Sequence, residues 1–344
     1  MSTRARILEQ LADGGLHSGA DIGRRLGVTR AAVSKGVKAL CATGLVVNAV
    51  AGRGYRLSTP LTPLDRRRIL ELLGSSLQPP ARIEILEQVD STNRHLLTQA
   101  LLAREPSGMI CLAEVQGQGR GRRGRSWVAS AYQNLMMSVA WRFALGPGMV
   151  AGLSLAAGVA VLRALEAYGV TDIGLKWPND ILWVAPDASP GAAPAHAYTA
   201  RERKLAGLLV DVHGEASGPC TVVLGVGVNC RIAERDVKRI DQPWTDVVTI
   251  TGQTPDRNRL AALLIRHLYD MFRAFAASGF AAFESEWNRR HLYADRPVRV
   301  AQGDEFIEGI ADGVDTAGAL RLRTARGETQ LFHSGEVRLR AAPS

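Results

Sequence analysis

Residues Glu114 to Trp127 read EVQGQGRGRRGRSW, in which Arg120, Arg122, Arg123 and Arg125 alternate with Gly119, Gly121 and Gly124. An apolar, strand-like run, Met109–Ala113, leads into them. Guanidinium groups are planar forks that match carboxylate and phosphate oxygens. Glycine permits φ > 0 and lets backbone N–H groups approach a ligand closely. Together they describe a mobile loop that folds over an anionic group. A nucleic-acid patch or an Arg/Gly-rich disordered segment has the same composition, so the loop alone leaves both readings open.

Other groups of chemically useful residues follow. Asp90-Ser91-Thr92-Asn93 stands between a predicted strand, Arg82–Gln88, and a helix to about Ala103. One capping residue suffices there, so three suggest hydroxyl and amide partners for a neutral polar ligand such as a ureido or amide group. In Lys176-Trp177-Pro178-Asn179-Asp180 the proline implies an edge or a bend, which projects Lys176, Asn179 and Asp180 toward a site. An ordinary turn reads the same way. Lys204 opens an apolar strand ending at Asp211, and Gly225-Val226-Gly227-Val228-Asn229 closes another. The latter lacks the third glycine and following helix of a dinucleotide fingerprint.

The elements that must position these groups fall into three parts. Residues 1–60 have the spacing of a winged helix-turn-helix: a helix over Arg4–Leu11, one capped by Ser18, and one capped by Thr29 with Val33, Val37 and Leu40 buried. Arg30, Ser34, Lys35 and Lys38 face outward, and Arg53 tips a hairpin, as for a helix in a major groove with its wing. A small protein-interaction module is the plainer alternative. Nine Arg/Lys against three acids give this part a net +6 of the chain's +9, which favours a polyanionic partner. A proline-bearing linker opens at Ser58–Pro63, and residues 61–80 join the parts. Strands and helices mix over 81–294, including a buried helix over Val150–Tyr168. The Ala/Pro-rich stretch 185–200 reads as an exposed insertion. Short strands separated by Gly/Asp turns over 295–344 predict a small β-barrel. The fold class is α+β.

A chain of 344 residues, 46% hydrophobic and 22% charged, has the composition of a globular protein with sizeable cores. Cys41, Cys111, Cys220 and Cys230 lie too far apart for zinc or CxxC spacing, so no structural metal is expected. Met1–Leu16 has no signal-peptide core, and the longest apolar run, Met149–Leu162, is only 14 residues. A cytoplasmic protein without membrane association is expected.

In this order, the motifs of Asp90–Asn93, Gly119–Gly124, Lys176–Asp180, Arg203–Gly207 and Gly225–Asn229 resemble the bifunctional biotin protein ligase/biotin operon repressor family over essentially the whole chain. The 185–200 insertion is longer than the family usually has. The resemblance implies a class II synthetase-like central domain and an SH3-like C-terminal barrel. It also implies activation of biotin with ATP and Mg²⁺ to biotinyl-5′-AMP, then transfer to a lysine of a biotin carboxyl carrier protein. Catalysis would fall to Lys204, Arg120, Arg122 and Asp180. Biotin would meet Ser91, Thr92, Asn93, Gln116, Arg120, Gly121, Arg122 and Lys204. The nucleotide would meet Arg122, Arg123, Trp127, Lys176, Asn179 and Asn229. Operator DNA would meet Thr29, Arg30, Ser34, Lys35, Lys38 and Arg53, with homodimerisation on binding biotinyl-AMP. A lipoate ligase-like acyl transferase and a non-enzymatic ligand-sensing transcription factor are the rival readings. Biotin-against-lipoate labelling separates the first, and biotin-dependent pyrophosphate release the second.

Overall fold

The computed structural model of the protein describes residues 2–144, 146–186, 201–302, 305–333 and 337–341; from residue 187 onward the 185–200 stretch lies outside them. The chain begins with α1 (Thr3–Leu11), α2 (Gly19–Leu26) and α3 (Arg30–Thr43), followed by the hairpin β1 (Val47–Val50) and β2 (Gly54–Leu57). Hydroxyl side chains of Ser2, Ser18 and Thr29 each accept a backbone N–H in the first turn, satisfying donors that the helix itself cannot pair. Ile7, Leu8, Leu11, Ile22, Val33, Val37 and Leu40 close the core. At Gly54 a Cβ would lie 2.0 Å from His17 O, so only glycine lets the wing dock here.

After α4 (Arg66–Leu73), capped by Asp65, the central domain is built on a seven-stranded sheet. Its strands are β3 (Arg82–Val89), β4 (Met109–Gln116), β5 (Leu135–Phe143), β6 (Ile173–Lys176), β7 (Asp180–Val184), β8 (Glu202–Gly214) and β9 (Cys220–Val228). The order is β3-β4-β5-β9-β8-β7-β6; β3 and β4 run parallel and every other pair is antiparallel. The parallel pair needs a crossover, which α5 (Thr92–Leu102) supplies. α6 (Leu153–Tyr168) and, beyond the short α7 (Glu234–Val237) and α8 (Val247–Thr251), α9 (Arg257–Ser278) and α10 (Ala281–Arg290) follow. The large core holds residues of α6 and α9 against the sheet, with Trp141 stacked on Phe272 at 4.9 Å. α5 lies over the β3–β4–β5 end of the other face, so the glycine-bearing part of β8 and β9 is left to line a cavity. The buried helix expected from Val150 starts at Leu153, because Pro147–Val150 forms a separate 3₁₀ turn and Gly152, with φ 77°, is the N-cap of the helix.

The C-terminal strands β10 (Pro297–Gln302), β11 (Glu305–Val314), β12 (Leu320–Arg323), β13 (Thr329–Phe332) and β14 (Val337–Ala341) form one antiparallel sheet, ordered β13-β12-β11-β10-β14. It meets the central domain where Trp177 Nε1 donates to Gly318 O at 3.2 Å. The N-terminal part is tied down as well: Arg4 Nε lies 2.5 Å from Glu87 Oε1, to which Tyr132 OH donates at 3.3 Å. Tyr132 is buried with the helix-turn-helix core at φ 61°. No described helix is long and apolar enough to cross a membrane.

Candidate active site

Gly207 of β8, Gly225 and Gly227 of β9 and Met136 of β5 line a cavity of about 440 Å³, together with the arginine-rich loop. That volume is in the range of small-molecule sites. The glycines are there for space. A Cβ on Gly225 would meet Asn93 Oδ1 at 2.3 Å, and one on Gly227 would meet Trp127 Cε2 at 2.5 Å. Gly207 faces the same indole at 3.0 Å. Two residues apart on one strand face, Gly225 and Gly227 thus seat two different side chains.

The arginine-rich loop folds back on itself. Trp127 N donates to Gly119 O at 2.8 Å and Gly121 N to Arg125 O at 2.7 Å. The turn falls at Arg123 (φ 56°) and Gly124 (φ 70°), whereas Gly117, Gly119 and Gly121 do not adopt positive φ. Gly119 is required for a different reason: its Cβ would strike Trp127 O at 2.4 Å. Arg120, Arg122 and Arg125 line the cavity; Arg123 lies on the loop's outer side. Burial, with the neighbouring Arg123 and Arg125 guanidiniums, pushes Arg122 below its ordinary value, against the pull of Asp180. An anion entering here would relieve that repulsion.

Lys204 is 11% exposed at its side chain, and its Nζ lies 2.7 Å from Asp180 Oδ1 and 5.5 Å from the Trp127 ring centre. A register shift in the β7–β8 pairing falls beside it. Segment 243–245 holds its backbone from the other side, through Lys204 N to Pro243 O and Thr245 N to Lys204 O, both 3.0 Å. A largely enclosed ammonium this constrained is set to hold ligand oxygens rather than to wander in solvent.

At the opposite end Ser91 occupies the N-cap of α5, yet its hydroxyl makes no capping bond. Gln116 Oε1 instead accepts from Thr92 N at 3.0 Å. Ser138 Oγ lies 2.8 Å from Thr92 Oγ1 and 2.6 Å from Asn93 Oδ1, and Asn93 Nδ2 donates to Asp211 Oδ2 at 3.0 Å. A braced polar end, its carboxylate Asp211 paired with Arg120, therefore shares the cavity with the cations Lys204 and Arg122.

Of the residues expected at the site, Ser91, Thr92, Asn93, Gln116, Arg120, Gly121, Arg122, Trp127, Asn179, Lys204 and Asn229 line this one cavity. Asp180 reaches it through Lys204. Lys176 does not line it: its Nζ lies 5.4 Å from the ring centre of Tyr293, which bonds Glu202. Asn229 and Asn179 direct their amide N–H groups to backbone carbonyls, of Lys204 and Thr245 and of Leu208, and so brace the walls. Sequence reasoning missed Ser138, Asp211 and the wall from Arg239 to Trp244. Ser138 interrupts an apolar strand and was the one detectable signal; the others carry none. In the N-terminal part, Arg30, Lys35, Lys38 and Arg53 are exposed, Ser34 is half-buried, and the Thr29 hydroxyl is taken by capping.

Comparison with known proteins gives a consistent answer over the whole length. Residues 85–229 match the Biotin/lipoate A/B protein ligase family, 3–56 an HTH domain, and 294–340 the Biotin protein ligase C terminal domain. The bifunctional ligase/repressor BirA of Salmonella typhimurium is 36% identical over 336 residues, covering 98% of this chain and 97% of the relative. The biotin–[acetyl-CoA-carboxylase] ligase of Mycobacterium tuberculosis is 34% identical over 280 residues, covering 80% and 95%. Among solved structures, biotin protein ligase from Aquifex aeolicus in complex with biotin and ATP aligns with a TM-score of 0.60 at 25% identity, covering 76% of this chain and 99% of that one.

Proposed function

The chain belongs to the bifunctional biotin protein ligase/repressor family, and from that premise we propose that its cavity joins biotin to the α-phosphate of MgATP and then hands the biotinyl group to a carrier protein. The observation that supports this reading best is Lys204, held by Asp180 between the polar end of the cavity and the arginine loop. In the first step the biotin carboxylate oxygen attacks the α-phosphorus, and pyrophosphate leaves. The two reactants repel one another, so their approach needs fixed positive charge. Lys204, Arg120 and Arg122 supply it, and Asp180 keeps the ammonium of Lys204 aimed. In the second step a carrier lysine amine attacks the biotinyl carbonyl carbon, AMP leaves with the bonding pair, and the proton lost by the amine passes to solvent.

Ser91, Thr92, Asn93 and Gln116 receive the ureido head, and Trp127 covers the adenine. Asp180 and Asp211 are each committed to a cation, Lys204 and Arg120, which makes the site a poor cage for a divalent ion. Mg²⁺ therefore enters as MgATP, with phosphate oxygens as its ligands. Closure of the loop keeps water from the mixed anhydride.

The same reading divides the chain into 1–60, a DNA-binding winged helix-turn-helix; 61–80, a linker; 81–294, a class II synthetase-like catalytic domain; and 295–344, an SH3-like barrel. Bound biotinyl-AMP orders the loop and favours a homodimer, which then binds operator DNA through Arg30, Lys35, Lys38 and Arg53.

The test is ATP-dependent transfer of labelled biotin to a carrier domain, with pyrophosphate release followed in parallel. Lys204→Ala is expected to lose adenylate formation by at least about a hundredfold, the usual scale for a charge that stabilises a transition state. Biotin-independent pyrophosphate release, or labelling by lipoate in preference to biotin, would refute the assignment.

A further inference from the structure

On the far side of α5 from the cavity, three side chains of different chemistry converge. Glu84 of β3 and Cys111 of β4 are direct partners in the parallel pairing, so both side chains project from the same face of the sheet. His95 of α5 closes over them, its Nε2 at 2.8 Å from Glu84 Oε2. The carboxylate oxygen, the imidazole nitrogen and the thiol sulfur all lie within 4.8 Å of one another, the one such trio of potential metal ligands among the described residues. Cys111 is fully buried and forms the floor; His95 is half-buried and Glu84 exposed, at the rim.

Nucleophilic use of the thiol is excluded by its setting. Cys111 is fully buried, and no face of it meets reactants in solution. Oxygen, nitrogen and sulfur donors are the ligand types of a borderline-soft divalent ion, and three protein ligands below an open rim leave a fourth position for water.

We propose that Glu84, His95 and Cys111 form a binding site for a zinc-type divalent cation. On binding, the Cys111 S–H bond breaks, a sulfur–metal bond forms, and the proton passes to solvent. The ion replaces the Glu84–His95 contact and fastens α5 to β3 and β4. His95 N donates to Ser91 O at 3.0 Å, so the fastened turn is the one that begins with Ser91, Thr92 and Asn93. The site thus stands behind the polar wall of the cavity, and it is independent of the ligase assignment.

The experiment titrates Zn²⁺ or Co²⁺ alone into the full-length chain under thiol-free reducing conditions, in a Cys41→Ser background that removes the one exposed cysteine. One equivalent is expected to bind, with a thiolate-to-cobalt charge-transfer band and a raised thermal midpoint. His95→Gln and Glu84→Gln, substitutions at the rim that leave the core intact, are each expected to weaken binding at least tenfold. Cys111→Ala is expected to abolish the charge-transfer band. Absence of that band in the parent, or binding unchanged in both rim variants, overturns the proposal and leaves Glu84–His95 as an ion pair only.

Discussion

Arg120 Nη2 lies 3.0 Å from Asp211 Oδ1 and 3.1 Å from Oδ2, joining the arginine-rich loop to the C-terminal part of β8. The same carboxylate accepts from Asn93 at the polar end of the cavity. One anion therefore holds a loop residue and a wall residue in register. Charge-assisted hydrogen bonds of this kind contribute about 1.5–3 kcal/mol, less where solvent reaches them, as it does at Arg120. Asp211→Asn is expected to speed release of biotinyl-AMP about fivefold to tenfold while the protein stays folded. Single-turnover trapping of the intermediate measures this, and an unchanged release rate would show that Asp211 does not secure the loop.

Gly225 and Gly227 face the same cavity but touch different side chains. A methyl group on Gly225 displaces Asn93, and one on Gly227 displaces Trp127. Gly225→Ala is expected to raise the KM for biotin about tenfold, a shift of about 1.4 kcal/mol, with the KM for MgATP little changed. Gly227→Ala is expected to do the reverse. Steady-state kinetics with each substrate varied in turn checks both, and equal effects on both substrates would contradict the assignment of Asn93 to one and Trp127 to the other.

Arg257 and Glu114 form a buried ion pair at 2.7 Å, 2% and 8% exposed. The arginine also donates to Thr62 O and Asn134 O, and the glutamate accepts from Leu64 N. The pair thus anchors the linker to α9 and to the start of β5. Removing one member leaves a buried charge unpaired, which costs about 3–5 kcal/mol. Arg257→Met is expected to lose stability on that scale in denaturant titration, whereas Arg257→Met with Glu114→Gln recovers part of it. No recovery in the double variant would argue against the ion pair as the cause.

His291 is buried against Trp287, ring centres 4.6 Å apart, with neither ring nitrogen hydrogen-bonded. Burial, reinforced by Arg296, lowers it to about 3 from 6.5. The folded form therefore resists a proton that the unfolded chain accepts. Its contribution to stability is complete above pH 6.5 and shrinks on acidification toward pH 3, by about 1.4 kcal/mol per pH unit. His291→Phe keeps the aromatic packing and is expected to flatten that slope. Urea unfolding between pH 7 and about pH 4 reads it directly; parallel slopes for parent and variant would rule His291 out.

Much of this molecule is written locally. Apolar spacing and caps at Ser18 and Thr29 suffice for the helix-turn-helix, because a helix of this length is set by its own residues and the stripe it buries. The five short motifs name half of the cavity's lining, since the chemistry of each is carried by neighbouring residues. Other features arise only on folding. Asp211 acquires its role from Arg120, 91 residues earlier, and Ser138 from Thr92, 46 residues earlier. The wall over Arg239–Trp244 has no periodicity to reveal it, and Lys176 leaves the cavity for Tyr293 although its motif does not. Glycine content announced a close approach, but only the sheet shows that Gly225 meets Asn93 and Gly227 meets Trp127. Contacts across a sheet depend on strand order and register, and those are set by how whole elements pack rather than by any one stretch of chain.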